Sequence, residues 1–193
     1  MAVKQDRREE ILHSMLELVV ERGINDAPMS ELSKRAGASA GIIYHYFSNK
    51  DDIINQLYLS IKARMVKSLT MDVSSDMPAK KAFLQVWKNA YNFYRSHPSE
   101  TKFLNQYENL PCYEKGSSSV LTDDPNYRLL AEFFKTKSEG GILKDLPFAV
   151  SAELTVGVAA RLAKQPDAYP AKLLNRIAEI CWHSVLEDPD CKD

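Results

Sequence analysis

The sequence predicts an all-α fold of about nine helices. Apolar residues recur every three or four positions along most of the 193 residues, which is the period of an amphipathic helix. Glycine and proline interrupt this pattern where helices begin or end, and no segment alternates convincingly as a strand would. A chain of this length can form one large domain or two small ones with a substantial core.

The first two helices are defined by apolar stripes and by the residues that end them. Helix 1 carries its stripe at Ile11, Met15 and Val19, and Gly23 ends it. Helix 2 begins with Pro28, because a first helical residue needs no free N–H. Gly37 can end helix 2, since glycine accepts the left-handed conformation without a Cβ penalty.

A third short helix follows after a three-residue turn, Gly37–Ser39. Ser39 can cap it, because the hydroxyl can accept a free backbone N–H. The residues expected to be buried are Ile42, Ile43 and Phe47, and those with outward polar tips are Tyr44, His45 and Tyr46. Two short helices around a tight turn fit the helix-turn-helix motif, although other packed helix pairs give a similar pattern.

Six longer segments complete the predicted fold. Helix 4 runs from Asp51 toward Leu69, and Ser48 and Asp51 have the spacing of a capping box. Helices 5 and 6 meet at His97-Pro98, and residues 111–125 form the clearest loop. Helix 7 is expected to end at Gly140-Gly141, and helices 8 and 9 are expected at about residues 148–164 and 170–186.

Four segments carry a family resemblance: REEIL at 8–12, ERG at 21–23, MSELSKRAG at 29–37 and SAGIIYHYFSNKDDI at 39–53. The most specific piece is G-x-x-Y-x-Y-F-x-x-K, from Gly41 to Lys50. These segments resemble the DNA-binding domain of the TetR family of bacterial transcriptional regulators. The resemblance implies a homodimer with a helix-turn-helix domain at residues 1–50. It also implies a ligand-binding and dimerisation domain at residues 51–193, with helix 4, residues 51–70, linking the two.

The chain departs from the family pattern at two places. Ala27 and Pro28 stand where a Thr or Ser is common, so capping and a phosphate contact are expected to shift to Asp26 or Ser30. Ile42 stands where a Thr often follows the glycine of the third helix, which removes one expected hydroxyl contact.

The predicted DNA-binding residues surround helix 3. They are Ser30, Ser39, Ala40, Gly41, Tyr44, His45, Tyr46 and Lys50. Ser39 and the backbone at Gly41 lie at a helix start, which suits phosphate, and His45 is the main candidate for reading bases. Lys50 supplies charge for a phosphate. Tyr44 could instead be a core aromatic residue.

The C-terminal helices suggest a dimer interface and a ligand pocket. Small residues in helix 8 and apolar residues in helix 9 predict that 148–164 and 170–186 meet a second copy, although both helices could instead pack within one subunit. Aromatic residues are numerous enough for a largely apolar pocket. The predicted ligand-binding residues are Tyr58, Trp87, Tyr91, Phe103, Tyr107, Phe134 and Phe148.

Charge and cysteine usage set broad limits. The formal net charge is −1, but residues 27–50 hold three cations against one acid, and the arm before helix 1 adds Lys4, Arg7 and Arg8 against Asp6, Glu9 and Glu10. The scattered cysteines, Cys112, Cys181 and Cys191, argue against a disulfide framework or structural zinc. A redox role for Cys112 is the less favoured interpretation.

Nothing in the sequence indicates catalysis. The four histidines lack metal-site spacing, and no nucleophile elbow or phosphate loop occurs, so no enzyme activity, metal or cofactor is expected. Membrane spans and a secretory signal are not expected either, which predicts a cytoplasmic protein. The sequence therefore favours a ligand-responsive repressor that binds double-stranded operator DNA. Two alternatives stay open: a helical small-molecule-binding or enzymatic protein without DNA binding, and a DNA-binding protein without an effector.

Overall fold

The computed structural model describes residues 2–110 and 123–187, with side chains from residue 7 onward. Within these ranges it contains nine helices and no strand, which confirms the all-α prediction. The first seven helices are α1 (Ala2–Arg22), α2 (Met29–Arg35), α3 (Ala40–Tyr46), α4 (Lys50–Leu69), α5 (Ala79–Ser96), α6 (Pro98–Tyr107) and α7 (Pro125–Phe133). The last helix, α9, is Ala171–Val185. Helix α8 consists of Phe148–Ala152, a π-helical turn at Glu153–Gly157, and Val158–Ala163.

The described residues divide into two compact units. Unit 1 comprises residues 2–62 and 98–110, and therefore holds α1, α2, α3, α6 and most of α4. Unit 2 comprises residues 63–97 and 123–187, and holds the end of α4 together with α5, α7, α8 and α9.

Unit 1 is built on α1, which packs against both α2 and α6. Its core is apolar and consists mainly of Ile11, Met15, Val19, Leu32, Ile43, Phe47 and Ile53. Two side chains of α6 close the carboxyl end of α1: Lys102 Nζ donates to the Val20 carbonyl at 2.6 Å, and Gln106 Oε1 accepts from the Ile24 amide at 3.1 Å. The first bond satisfies a carbonyl that a helix end leaves without a partner, and the second satisfies an amide just beyond the helix.

Unit 2 is built on α5, which packs against α8 and α9. The Trp87 indole is buried and donates to the Thr155 carbonyl within the π-helical turn at 3.1 Å. The Asn89 amide donates to the carbonyls of Leu69 and Met71, at 3.0 and 2.7 Å. Asn89 therefore closes the carboxyl end of α4, as a polar side chain in a core must do to keep its own groups bonded.

Three expected helix ends differ in the structure. Pro28 is the N-cap of α2 rather than its first residue, and neither Asp26 nor Ser30 caps the helix. At the start of α4, the caps come from Asn49 and Asp52, one residue after the predicted Ser48 and Asp51. Both shifts are within the one or two residues by which helix ends are commonly misplaced.

The third difference concerns α7, which ends at Phe133 instead of at Gly140-Gly141. A separate 3-10 turn, Lys137–Glu139, follows it, and Thr136 and Glu139 form a capping box there. The Thr136 N–H donates to the Glu139 carboxylate at 2.9 Å, so this local polar pair starts a new turn rather than extending the helix. The predicted loop lies largely outside the described residues, as do Cys112 and Cys191.

Candidate nucleic-acid interface

The turn between α2 and α3 is fixed by one glycine and one arginine. Gly37 has φ +57°, the left-handed conformation expected from its position after α2. The Arg7 guanidinium, on α1, donates to the carbonyls of Ala36 at 3.4 Å and Gly37 at 3.0 Å. A cation bonded to the last carbonyls of a helix opposes the negative end of its dipole. The angle at which α3 leaves the turn is thus tied to α1.

Helix α3 is anchored on one side and exposed on the other. Ser39 caps it as predicted, its hydroxyl accepting the Ile42 amide at 3.3 Å. Ile43 and Phe47 are buried, whereas the outward residues are Ala40, Gly41, Ile42, Tyr44 and His45. Tyr46 is half-buried, and its ring lies 5.3 Å from that of His45.

The exposure of two side chains of α3, Tyr44 and Ile42, decides whether each belongs to the core. Tyr44 is 53% exposed, so it is a surface residue and not part of the core. The expected burial of Ile42 is wrong, because its side chain is 41% exposed. Successive helix residues point about 100° apart, so Ile43 can face the core while Ile42 does not.

The beginning of α4 is held by a network of polar side chains. The Asp52 carboxylate accepts from the Ser48 amide at 2.7 Å and from Gln56 Nε2 at 2.8 Å. These hydrogen bonds hold the pKa of Asp52 below its ordinary value because they favour the ionised form, and the bond from Gln56 has the largest effect. Arg8 donates to the Gln56 side chain and lies 5.6 Å from the centre of the Phe47 ring.

The cations near the motif are engaged inside unit 1. Lys50 Nζ donates to the Asn25 carbonyl at 3.0 Å, and Arg35 forms a bidentate pair with Glu21 at 2.7 and 2.8 Å. Lys34 contacts Glu31 at 3.1 Å. Arg7 and Arg8 belong to α1, so the expectation of a basic arm before the first helix is wrong. Much of the local basic excess therefore holds the helices together.

The other predicted DNA-binding residue, Ser30, is exposed in the first turn of α2. The structure thus brings Ser39, Ala40, Gly41, Tyr44 and His45 together on one exposed helix, with Tyr46 half-buried at its end. Lys50 lies at the start of the next helix with its ammonium bonded to a loop carbonyl.

The predicted ligand-binding residues fall into the two units. In unit 1 the Tyr58 and Tyr107 rings stack with centroids 4.2 Å apart, and the Phe103 ring lies 6.0 Å from that of Tyr107. In unit 2 the nearly parallel rings of Trp87 and Tyr91 are 6.4 Å apart. Phe134 is half-buried, 6.1 Å from Phe83, and Phe148 is 77% exposed at the start of α8.

Unit 2 has apolar side chains on its surface along the two helices that the sequence assigns to a dimer. In α8 the exposed ones are Phe148, Val150 and Leu154, and in α9 they are Leu173 and Ile180, the last 59% exposed. Leu173, Ile177 and Ile180 are spaced four and three apart, so they share one face of α9. The opposite face of α9 packs in the unit, where Cys181 and Trp182 are buried.

The part of the chain that the structure describes has no cluster of three or more potential metal ligands. Cys181 is buried, and burial raises the pKa of its thiol. Among the described residues, none of the helices combines the length and apolar character needed to cross a membrane.

Two family descriptions match the chain. Residues 11–57 match "Bacterial regulatory proteins, tetR family", and residues 78–186 match "Tetracyclin repressor-like, C-terminal domain". The first match contains α2 and α3 entirely, with the turn between them. The second contains α5 to α9.

Related proteins agree over nearly the whole length. An uncharacterised HTH-type transcriptional regulator of Haemophilus influenzae is 27% identical over 187 residues, which is 94% of this chain and 97% of that protein. The crystal structure of a TetR-family transcriptional regulator from Haemophilus influenzae superimposes with a TM-score of 0.77 at 25% identity, covering 97% of this chain and 100% of that one. A TetR-family protein of Vibrio parahaemolyticus shares the fold, with a TM-score of 0.74 at 23% identity and coverage of 94% and 99%.

Proposed function

This chain belongs to the TetR family of bacterial regulatory proteins, and we propose that it is a homodimeric repressor that a small molecule releases from its operator. Ligand-responsive, DNA-binding regulation of transcription is the function of the chain. The proposal adds the sign of regulation, the residues that contact DNA, and the helices that join two copies. In this proposal a DNA-binding domain comprises residues 1–50, a ligand-binding and dimerisation domain comprises residues 51–193, and α4 links the two.

The exposed side of α3 carries the proposal. This helix lies in the segment that matches the family, it is anchored by Ile43 and Phe47, and its outward side is free of salt bridges among the described residues. A helix about as wide as the major groove can place such side chains against base edges.

Each outward residue has a chemical role in the proposed complex. The amides near Ser39 and Gly41 donate to a phosphate, because the first amides of a helix lack partners within it. His45 donates to or accepts from a base edge, and Tyr44 and Tyr46 offer hydroxyls to phosphates. Ile42 adds an apolar contact of the kind that reads the thymine methyl group.

The second copy is proposed to bind on α8 and α9. Their exposed apolar side chains would cost free energy in water, at roughly 25 cal/mol per Å² of apolar area, and a two-fold axis lets the same patch cover itself. The residues involved are Phe148, Val150, Leu154, Leu173 and Ile180. The dimer would present two α3 helices to half-sites about one helical turn apart, roughly 34–36 Å, or a nearby multiple.

Release requires coupling between effector and DNA. In the proposed mechanism the effector binds a pocket lined by aromatic residues, so its contacts are largely apolar. Its binding favours a conformer in which α4 swings and the two α3 helices no longer match one face of the duplex. By linkage, DNA must then weaken effector binding by the same factor. An effector that binds tightly and leaves operator affinity unchanged would contradict this mechanism.

The test of DNA reading starts with selection of bound duplexes from a random pool. We expect a two-fold symmetric site, and His45→Ala should lower affinity for it by about tenfold while leaving non-specific binding nearly unchanged. The matched control is His13→Ala, which removes an exposed histidine of α1 that contacts Glu17 at 3.4 Å. Recovery of no preferred sequence, or equal losses in the two variants, would contradict the assigned role.

A further inference from the structure

Among the described residues, one cation of unit 1 differs from the others in having neither a hydrogen bond nor a salt bridge. Among the described residues, no hydrogen bond or salt bridge reaches the ammonium of Lys62, whereas Lys50, Arg35 and Lys34 are all engaged. Lys62 is half-buried on α4. Its Nζ lies 5.9 Å from the centre of the Tyr58 ring, one helical turn earlier.

Burial without a hydrogen-bond acceptor is unfavourable for an ammonium. Withdrawal from water lowers the pKa of Lys62, and the negative charge of Glu108, just after α6, opposes that shift only in part. A ring face attracts a cation, but a single aromatic contact is worth much less than the hydration it replaces. A bound anion would supply the missing acceptor.

A row of stacked aromatic rings lies beside Lys62. Tyr58 stacks on Tyr107 with planes 13° apart, and Phe103 continues the row of rings. The Tyr107 hydroxyl donates to Asn55 Oδ1 at 3.0 Å, which fixes the orientation of the ring. A charged group beside a row of buried rings is the arrangement that binds a molecule with an acidic end and an apolar body.

We propose that Lys62 binds the acidic group of the effector, and that the effector is an organic anion with an apolar body. This inference rests on the proposed function and names the chemical class of the molecule that releases the operator. Lysine carries a compact charge without the planar fork that matches two oxygens, so a single-point contact to a carboxylate is the expected geometry. The aromatic rings of Tyr58, Tyr107 and Phe103 would line the apolar part.

The experiment compares two probes that differ in charge, decanoate and 1-decanol, by calorimetric titration of the full-length protein without DNA. Wild-type protein is expected to prefer decanoate. Lys62→Met should lower the affinity for decanoate by about tenfold or more, the loss of one charged hydrogen bond, and leave that for decanol within about twofold. Lys62→Arg keeps the charge and should retain the preference. Lys67→Met, which removes an exposed lysine of the same helix, is the control.

The outcomes separate this inference from the function on which it rests. Absence of decanoate binding to wild-type protein at millimolar concentration would overturn it, and so would equal decanoate affinities of the wild-type and Lys62→Met proteins. Operator affinity of Lys62→Met without probe should equal that of wild type, which also shows that the variant folds. Loss of the acid preference in Lys67→Met as well would mean that the preference is a general charge effect, and would likewise overturn the site.

Discussion

The outward sides of α3 and α9 present opposite chemistry to their partners. On α3 the exposed residues are mostly small or polar, and a single isoleucine, Ile42, interrupts them. On α9 the exposed stripe is apolar, with Leu173 and Ile180 at its ends. Binding to a hydrated polyanion is favoured by polar groups in defined positions, whereas binding to a second protein copy is favoured by apolar area.

The supports beneath the two helices differ accordingly. Helix α3 has only seven residues, and side-chain hydrogen bonds hold the turn before it and the helix start after it, through Arg7, Ser39 and Asp52. Helix α9 has fifteen residues and is held chiefly by its buried apolar face. A short helix cannot maintain its direction alone, because its stability comes from contacts outside it. The side-chain hydrogen bonds thus fix the position of the helix that would contact base edges.

The largest expected effect is on the α9 surface. Ile180→Asp places a carboxylate within the proposed apolar patch, and burying an unpaired charge costs several kcal/mol. The dimer dissociation constant should rise by about a hundredfold or more, because roughly 1.4 kcal/mol corresponds to each factor of ten. Sedimentation equilibrium measures this constant directly.

The control for that substitution is Asn175→Asp, an exposed residue of α9 outside the apolar stripe. It adds the same charge with almost no change of shape and should leave the dimer intact. A dimer that tolerates Ile180→Asp, or a wild-type protein that is monomeric at micromolar concentration, would show that α9 is not the interface. The exposed apolar residues of α9 would then not be explained by contact with a second copy.

The sequence was most informative where the determinants are local. The ends of α2 and α3 follow from Gly37 and Ser39, whose effects act within a few residues. Arg7 and Arg8 pair locally with Glu10 and Glu9. Their long-range partners were not predictable in this way, since these lie 29 to 48 positions away along the chain. Charge counting treated both arginines as available to DNA, but packing of α1 against the motif engages them.

The exposure of Ile42 escaped prediction for a related reason. Ile42 and Ile43 are equally apolar, and periodicity alone does not tell which of two neighbours faces the core. That choice depends on where α1 and α2 pack against α3, a tertiary property. Lys62 is similar, because only its place beside the stacked rings of Tyr58 and Tyr107 distinguishes it from other lysines.

The second prediction separates stability from DNA binding in the turn region. Gly37→Ala should destabilise unit 1 by about 1–2 kcal/mol, because alanine in the left-handed conformation is strained. No atom lies within 4 Å of the added Cβ, so the cost is one of backbone conformation. Urea denaturation measures it.

Gly41→Ala is the matched substitution inside α3. Its Cβ would meet only the Ser39 hydroxyl at 3.9 Å, so the variant should gain about 0.5–1 kcal/mol from helix propensity. Operator affinity should nevertheless fall, since the methyl group holds the backbone away from phosphate. Gly41→Ala with wild-type operator affinity would show that this part of the helix does not approach DNA closely.

The third prediction concerns Lys50, which could serve DNA or only the fold. If its ammonium leaves the Asn25 carbonyl for a phosphate, Lys50→Met should reduce the salt dependence of operator binding by about 0.9 per protomer. Affinity would fall by roughly fivefold at moderate salt, about 1 kcal/mol. An unchanged salt slope together with lower stability would show that Lys50 serves only the fold, through its hydrogen bond to the Asn25 carbonyl.

The smallest expected effect tests the one apolar residue on the polar side of α3. If Ile42 contacts a thymine methyl, replacing that thymine by uracil in one half-site should weaken wild-type binding by about fourfold, since one buried methyl group is worth roughly 0.8 kcal/mol. In Ile42→Ala the same replacement should have little effect, because the methyl group has already lost its partner. This double cycle isolates the contact from any general effect of the variant on folding. Equal losses in wild-type and Ile42→Ala proteins at every thymine would show that Ile42 reads no base, and α3 would then recognise DNA through polar contacts alone.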